Sequence, residues 1–178
     1  HAGVDEAGKG DLFGPLVSCC VIADGEMVRD WQEAGIKDSK SLTDASILRL
    51  EKVILKTRGV VVKKTLAGMG RYNELMSRPG ANLNKLLAWF HSRSIQAALA
   101  EKPVEWGMLD QFSKAPLTQQ QLRKDGVVFD LRMETKAEAD PVVAAASICA
   151  RAEFVRQLRK LGAEFGEELK KGAGAGVK

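Results

Sequence analysis

The strongest constraint on the fold is an apolar run near the start of the chain, from Leu16 to Ala23. Its residues are apolar, small or β-branched, and turn residues stand at both ends, so the run predicts a buried β-strand. Val4 to Ala7 predicts a second strand beside it, and the glycine-rich loop from Gly8 to Gly14 would connect the two. The fold is therefore expected to open with two adjacent strands.

The rest of the chain alternates between helical and strand patterns. Helices are predicted over 43–59, around 73–76, over 82–102 and over 140–161, and further strands over 60–65, 104–109 and 127–133. This order predicts an α/β fold with a mixed central sheet and helices on both of its faces. We expect one domain over residues 1–161, followed by a glycine-rich, basic tail over residues 162–178.

The composition sets broad limits on location and partners. The chain has 27 Lys and Arg residues against 23 Asp and Glu residues, a formal net charge of +4. This mild basic excess is compatible with a polyanionic partner and with many unrelated proteins. The three cysteines have neither the spacing of a zinc site nor a disulfide framework, and no apolar run is long enough to cross a membrane. We therefore expect a cytoplasmic protein with buried, reduced cysteines and no membrane contact.

An acidic pair, Asp5 and Glu6, lies where the first predicted strand meets the glycine-rich loop. Two charges in such a place cost folding free energy unless something neutralises them, and a divalent cation would do so. Because side chains alternate along a strand, we expect Asp5 to be the central ligand and Glu6 to reach the metal from the strand's edge. An ordinary acidic pair at a surface turn is the alternative.

Three more carboxylates stand at positions where a ligand is expected. Asp110 ends an apolar strand, at the edge where open α/β sheets gather their ligands, although a turn or N-cap role is equally compatible. Asp140 has a structural role as N-cap ahead of Pro141, whereas Glu138 has none, which favours Glu138 as a ligand. Oxygen donors without a His or Cys cluster favour Mg²⁺ or Mn²⁺ and suit phosphodiester hydrolysis by two metal ions.

Two basic segments are candidate phosphate contacts. Gly8-Lys9-Gly10 follows the acidic pair directly, and its glycines would let the backbone approach a sugar-phosphate chain while Lys9 meets a phosphate. The triplet matches neither the P-loop nor the dinucleotide-binding fingerprint. Lys40 belongs to a second basic cluster, for which a solvated helix cap is the alternative.

Several segments resemble, in order, conserved blocks of the type 2 ribonuclease H family. They are Gly3 to Asp11 with Phe13 to Val17, then Asp38-Ser39-Lys40, Leu109 to Phe112 and Ala144 to Arg151. Together the blocks span residues 2 to about 160. Lys9, Asp11 and the block from Asn82 to His91 are more similar to ribonuclease HIII than to ribonuclease HII.

The resemblance implies a ribonuclease H-like fold and an endonuclease that cuts the RNA strand of an RNA/DNA hybrid with two Mg²⁺ or Mn²⁺ ions. The products would carry 5′-phosphate and 3′-hydroxyl ends. The catalytic and metal-binding acids would be Asp5, Glu6, Asp110 and Glu138. Asp140 is the alternative fourth acid, because the stretch before it is one residue shorter than in many HII members. The nucleic-acid contacts would be Gly8, Lys9, Gly10 and Lys40.

Two other functions remain open from the sequence. Ribonuclease HII also incises at a single ribonucleotide in duplex DNA and typically uses a tyrosine near the 2′-hydroxyl, but the only tyrosine here is Tyr72, outside the C-terminal block. A catalytically inactive hybrid-binding module would be expected to lack one or more of the acids. We expect a monomer, without the N-terminal domain that HIII proteins usually carry and with a C-terminal tail that is truncated relative to the family.

Overall fold

A computed structural model describes residues 1–11, 15–37 and 39–166. Its strands form one sheet in the order β3-β2-β1-β4-β5. They are β1 (Ala2–Ala7), β2 (Leu16–Ile22), β3 (Val61–Ala67), β4 (Trp106–Asp110) and β5 (Asp130–Glu134). β1 pairs antiparallel with β2 and parallel with β4, while β2 pairs antiparallel with β3 and β4 parallel with β5. The sheet is therefore mixed, as predicted.

Helices cover both faces of this sheet, which also confirms the prediction. They are α1 (Gly25–Ala34), α2 (Asp44–Lys56), α3 (Met69–Met76), α4 (Leu83–Glu101), α5 (Leu117–Lys124) and α6 (Pro141–Phe165). One apolar core joins α1, α2 and α6 to the sheet, and a second joins α4 and α5 to the opposite face. Two 3₁₀ turns precede α2 and α6, respectively: Ser39–Ser41 and Ala137–Ala139.

The sequence patterns missed two helices, α1 and α5. α1 begins at the N-cap Asp24, whose carboxylate accepts a hydrogen bond from the Met27 N–H at 3.0 Å, and it buries only Met27 and Trp31. α5 lies in the polar, glutamine-rich segment and buries only Thr118 and Leu122. Both helices have too few buried apolar positions to produce a helical repeat that the sequence alone would reveal.

The packing of α6 on β1 determines where the site forms. The Asp140 carboxylate accepts hydrogen bonds from the N–H groups of Val142 and Val143 at 2.9 and 3.1 Å, so Asp140 caps α6 as predicted. The first turn of α6 lies so close to β1 that a Cβ atom on Gly3 would stand 2.3 Å from the carbonyl carbon of Val142. The absence of a side chain at Gly3 is what permits this close approach.

The structure also bears on the predicted cysteines, the end of the last helix and the C-terminal tail. Cys19, Cys20 and Cys149 are buried and form no disulfide, as predicted. α6 continues to Phe165, beyond the predicted end at Leu161, and most of the predicted tail, 167–178, lies outside the described residues, as do positions 12–14 and 38. Within the described ranges, no helix combines the length and the apolar character needed to cross a membrane.

Candidate active site

A cavity of about 510 Å³ lies at the C-terminal end of β1. Its walls come from β1 and the loop after it, the end of β4, the two 3₁₀ turns and one side of α6. The four acids that the family resemblance implied all line it: Asp5, Glu6, Asp110 and Glu138. Residues from distant parts of the chain therefore meet in one concave surface.

The side chain of Asp5, a residue of β1, faces α6. Its Oδ1 accepts a hydrogen bond from the Glu6 N–H at 2.9 Å, and its carboxyl also bonds the side chain of Ser147 on α6. Burial raises the pKa of Asp5 well above its ordinary value, and the nearby charges of Glu6 and Asp110 raise it further. A buried carboxylate with other carboxylates beside it meets the electrostatic condition of a cation site.

Glu6 points to the opposite face of the sheet, towards α4. Its Oε2 accepts a hydrogen bond from Nε2 of His91 at 3.0 Å. His91 is completely buried, and its Nδ1 lies 2.8 Å from the Ser18 hydroxyl. The two acids of the pair are therefore held from opposite faces, as the alternation of side chains along a strand requires.

Asp110 and Glu138 form the other side of the cavity. Oδ1 of Asp110 accepts a hydrogen bond from the Ala137 N–H at 3.1 Å. Burial raises the pKa of Asp110, and the charges of Glu138 and Glu6 add to the increase, although the Ala137 N–H opposes it. Oε1 of Glu138 lies 3.5 Å from the Lys40 ammonium, whereas its buried Oε2 has no hydrogen-bond partner among the described residues.

Asp140, the alternative fourth acid, has other partners. Its carboxylate caps α6 and also lies 2.8 Å from Nε2 of His1. These contacts lower the pKa of Asp140, despite the opposing effect of burial. The geometry therefore favours Glu138, which lines the cavity, as the fourth acid over Asp140, which caps α6.

The donor atoms are of the kind that a hard divalent cation prefers, although they are not arranged to coordinate one. Among the described residues, no group of three or more His, Cys, Asp or Glu side chains is placed so that it could hold a metal ion as it stands. Glu6, Asp110 and Glu138 each bond a protein partner instead. The fit rests on the oxygen-only donor set, on the unpartnered Oε2 of Glu138, and on the neighbouring carboxylates that raise the pKa of Asp5 and of Asp110. That the acids share a metal remains a prediction.

The two glycines after the acidic pair have different structural roles. Both have positive φ, 93° at Gly8 and 83° at Gly10, a region that glycine adopts without strain. A Cβ atom on Gly8 would stand 2.0 Å from the Pro15 carbonyl oxygen, so this glycine is required by packing. A Cβ atom on Gly10 would meet no described atom within 4 Å. The backbone at Gly10 is therefore accessible to a ligand.

Among the described residues, three cationic side chains line the cavity: Lys9, Lys40 and Arg151. Lys9 is exposed, with its ammonium 3.3 Å from Oδ1 of Asn84 and 5.6 Å from the centre of the Phe112 ring. Lys40 has 72% of its side chain exposed despite its ion pair. Sequence reasoning did not select Arg151, which lies on α6 and has a buried Nε with no hydrogen-bond partner in the described part of the chain. Its place at the end of the family-like block on α6 was the available signal.

Comparison with known proteins decides the family. The family model described as Ribonuclease HII matches residues 2–178. The chain belongs to the ribonuclease HII family. Ribonuclease HIII from Chlamydia pneumoniae is 40% identical over 180 residues, which cover 99% of this chain and 59% of that protein. Ribonuclease HIII from Chlamydia abortus is 42% identical over 182 residues, with the same coverage of 99% and 59%. The chain thus spans about 59% of the length of these curated relatives.

Solved structures of type 2 ribonucleases H share the fold. Bst-RNase HIII in complex with Mn²⁺ superposes with a TM-score of 0.88 at 33% identity, covering 99% of this chain and 58% of that one. Aquifex aeolicus RNase H3 gives a TM-score of 0.83 at 31% identity, with coverage of 99% and 64%. These matches confirm the ribonuclease H-like fold and the HIII-like character that the sequence predicted.

Proposed function

We propose that this chain carries the catalytic core of an endonuclease that hydrolyses the RNA strand of RNA/DNA hybrids and leaves 5′-phosphate and 3′-hydroxyl ends. The observation that carries this proposal is the meeting of four acids in one cavity of a ribonuclease HII family fold: Asp5, Glu6, Asp110 and Glu138. The similarity to the two chlamydial ribonucleases HIII supports RNA/DNA hybrids as the substrate.

The four acids would hold two Mg²⁺ or Mn²⁺ ions, and the Mn²⁺ complex of Bst-RNase HIII supports the use of a divalent metal. When bound, such ions activate water for attack on a phosphodiester and stabilise the leaving oxygen. Asp5 is the central acid, because both Glu6 and Asp110 act on its pKa. Glu138 is the fourth ligand, because its Oε2 is buried without a partner whereas Asp140 caps α6.

Substrate binding would use the cations around the cavity and the glycine loop. Lys9, Lys40 and Arg151 line the cavity and would meet phosphates of the bound nucleic acid. The open backbone at Gly10 could hydrogen-bond a 2′-hydroxyl, the group that distinguishes RNA from DNA. Tyr72 of α3 packs against an apolar cluster that contains Leu16 and Phe90, which argues against an HII-type role for this tyrosine.

The substrate range can be tested with two labelled duplexes at matched salt and metal. We expect a hybrid with several consecutive ribonucleotides to be cut well, a duplex with one ribonucleotide to be cut poorly, and EDTA to stop both reactions. Extension of the RNA product by a polymerase would verify its 3′-hydroxyl end. Efficient incision at the single ribonucleotide would instead favour ribonuclease HII, and hybrid binding without any cleavage would favour an inactive module.

The role of the glycine loop can be tested by comparing Gly10→Val with Gly126→Val. Both glycines have positive φ, 83° and 76°, and a new Cβ atom on either would meet no described atom within 4 Å. Gly10 lies between Lys9 and Asp11, which line the cavity, whereas Gly126 has no neighbour in the chain that does. We expect both variants to lose similar stability, and only Gly10→Val to lose cleavage, by about a hundredfold or more, since it blocks backbone approach. Equal activity of the two variants would refute the contact.

Lys9→Ala should behave differently from Gly10→Val. Loss of one phosphate contact should weaken hybrid binding and reduce the slope of log affinity against log salt by about one unit. Titrations over a range of salt concentrations measure that slope. An unchanged slope would show that Lys9 stays with Asn84 and Phe112 in the complex instead of meeting a phosphate.

A further inference from the structure

We infer that His91 is a positioning residue for Glu6: it orients the Glu6 carboxylate in the cavity, and in this way sets the affinity of the site for a divalent cation. This inference rests on the proposed function, because it treats Glu6 as a metal ligand. It goes further, because it assigns a role to a buried histidine of α4 that lies far from Glu6 in the sequence.

Strand register brings the three groups together. Glu6 of β1 and Ser18 of β2 are direct cross-strand partners, so their side chains lie side by side on the face of the sheet that α4 covers. His91 of α4 lies across both of them. Its Nε2 is 3.0 Å from Oε2 of Glu6, and its Nδ1 is 2.8 Å from Oγ of Ser18.

Burial makes these contacts matter energetically. The His91 side chain is completely inaccessible to solvent, and Glu6 has 13% of its side chain exposed. A polar group without access to water needs partners within the protein, and both ring nitrogens of His91 have one. The ring also packs against Phe112, with 5.5 Å between the ring centres. The imidazole is therefore fixed in place and cannot follow Glu6 to a new position.

The direction of the hydrogen bonds follows from the chemistry of the groups. An ionised carboxylate only accepts, so Nε2–H of His91 donates to Glu6. In the neutral ring Nδ1 is then an acceptor, and the Ser18 hydroxyl donates to it. The Glu6 carboxylate thus selects the tautomer with Nε2–H, and the Ser18 hydroxyl adapts by donating to Nδ1 and so helps to hold the ring. A histidine held by a further hydrogen bond can fix one carboxylate oxygen and leave the other directed at the cavity. Partners of this kind typically change metal affinity tenfold to a hundredfold.

A matched pair of substitutions separates positioning from packing. In His91→Gln the side-chain amide nitrogen can take the place of Nε2 and still donate to Glu6. In His91→Asn the shorter amide reaches only the place of Nδ1, beside Ser18. Both variants remove the ring and its contact with Phe112, so both should lose a similar part of the free energy of unfolding.

The measurement is the affinity of the metal-free protein for Mn²⁺ alone, by calorimetric titration, with thermal unfolding as the control for the fold. We expect His91→Asn to weaken Mn²⁺ binding tenfold to a hundredfold and His91→Gln to stay within about threefold of the wild type. In a Glu6→Gln background, His91→Asn should have no further effect, since its target carboxylate is gone. Equal affinities in the two His91 variants, or an undiminished effect in the Glu6→Gln background, would overturn the inference.

Ser18→Ala keeps the test decisive if His91→Asn does not fold. This variant retains the ring and removes only the hydroxyl that hydrogen-bonds its Nδ1 and helps to hold it in place, so we expect a smaller, severalfold loss of Mn²⁺ affinity. An unchanged affinity in Ser18→Ala would then overturn the inference.

Hybrid cleavage by the same samples separates the two proposals. If the protein cleaves hybrids but its Mn²⁺ affinity does not depend on His91, the proposed function stands and the role of His91 is contradicted. If its Mn²⁺ affinity depends on His91 but it cleaves no hybrid, the role of His91 stands and the proposed function is contradicted.

Discussion

Replacing Asp5 with asparagine is expected to lower the rate of hybrid cleavage by about a thousandfold or more, because it removes the central charge that would hold the metal ions. Asparagine is close to aspartate in shape and can keep the hydrogen bonds to the Glu6 N–H and to Ser147. Single-turnover cleavage of a labelled hybrid at saturating Mn²⁺ measures the loss. Asp130→Asn, which changes an exposed carboxylate of β5, should retain wild-type activity.

The same variant should leave the metal-free protein as stable as the wild type, or more stable. Burial and the nearby charges of Glu6 and Asp110 raise the pKa of Asp5 in the folded state, so its ionised form costs folding free energy at neutral pH. The wild type should therefore lose stability as the pH rises through that raised pKa, and Asp5→Asn should lose less. Urea unfolding in EDTA at about pH 5 and pH 7 measures both effects. Near-normal activity would reject the catalytic role, and a large loss of stability would show that Asp5 is structural.

Gly3→Ala should reduce the free energy of unfolding by about 3 kcal/mol, because overpacking against backbone atoms cannot be relieved by a side-chain rotation. The added Cβ atom would stand 2.3, 2.4 and 2.5 Å from the Val142 carbonyl carbon, the Val143 nitrogen and the Val142 oxygen. α6 would have to move away from β1 and would carry Ser147 away from Asp5. Mn²⁺ affinity and hybrid cleavage should therefore fall together with stability.

Gly70→Ala is the matched control for this prediction. Gly70 is the second residue of α3, and a Cβ atom there would meet nothing within 4 Å in the described part of the chain. Because alanine is favoured over glycine within a helix, this substitution should stabilise the protein by up to about 1 kcal/mol. Urea unfolding of the two variants compares the same chemical change in opposite environments. A Gly3→Ala protein as stable as the wild type would show that α6 can shift without cost.

The parts of the fold that the sequence predicted well are those where burial is extensive. β2 is buried along its whole length and α6 along most of its own, so their apolar patterns are long and continuous. α1 exposes most of its residues, α5 buries only two of its own, and neither shows such a pattern. Helix ends were predictable where a single residue type determines them, as at the N-caps Thr43 and Asp140.

The acids of the candidate site were visible in the sequence because Asp5, Glu6 and Asp110 stand where predicted strands end and Glu138 stands just before the last predicted helix. Their supporting residues were not. His91 and Glu6 are 85 positions apart, and Ser39 and Ser147, which share a 2.6 Å hydrogen bond beside the cavity, are 108 apart. No local pattern marks a serine or histidine as the partner of a distant side chain. Such roles follow only from strand register and from how the helices pack on the sheet.

For the proposed nuclease, the contact between β1 and α6 would also determine when a nascent chain becomes active. During translation, Asp5 and Glu6 leave the ribosome long before Asp110, Glu138 and the first turns of α6. The cavity cannot close around the acids until α6 is free to dock beside Gly3. Incomplete translation products that lack α6 would therefore hydrolyse no nucleic acid, and nuclease activity would report that synthesis has passed this helix.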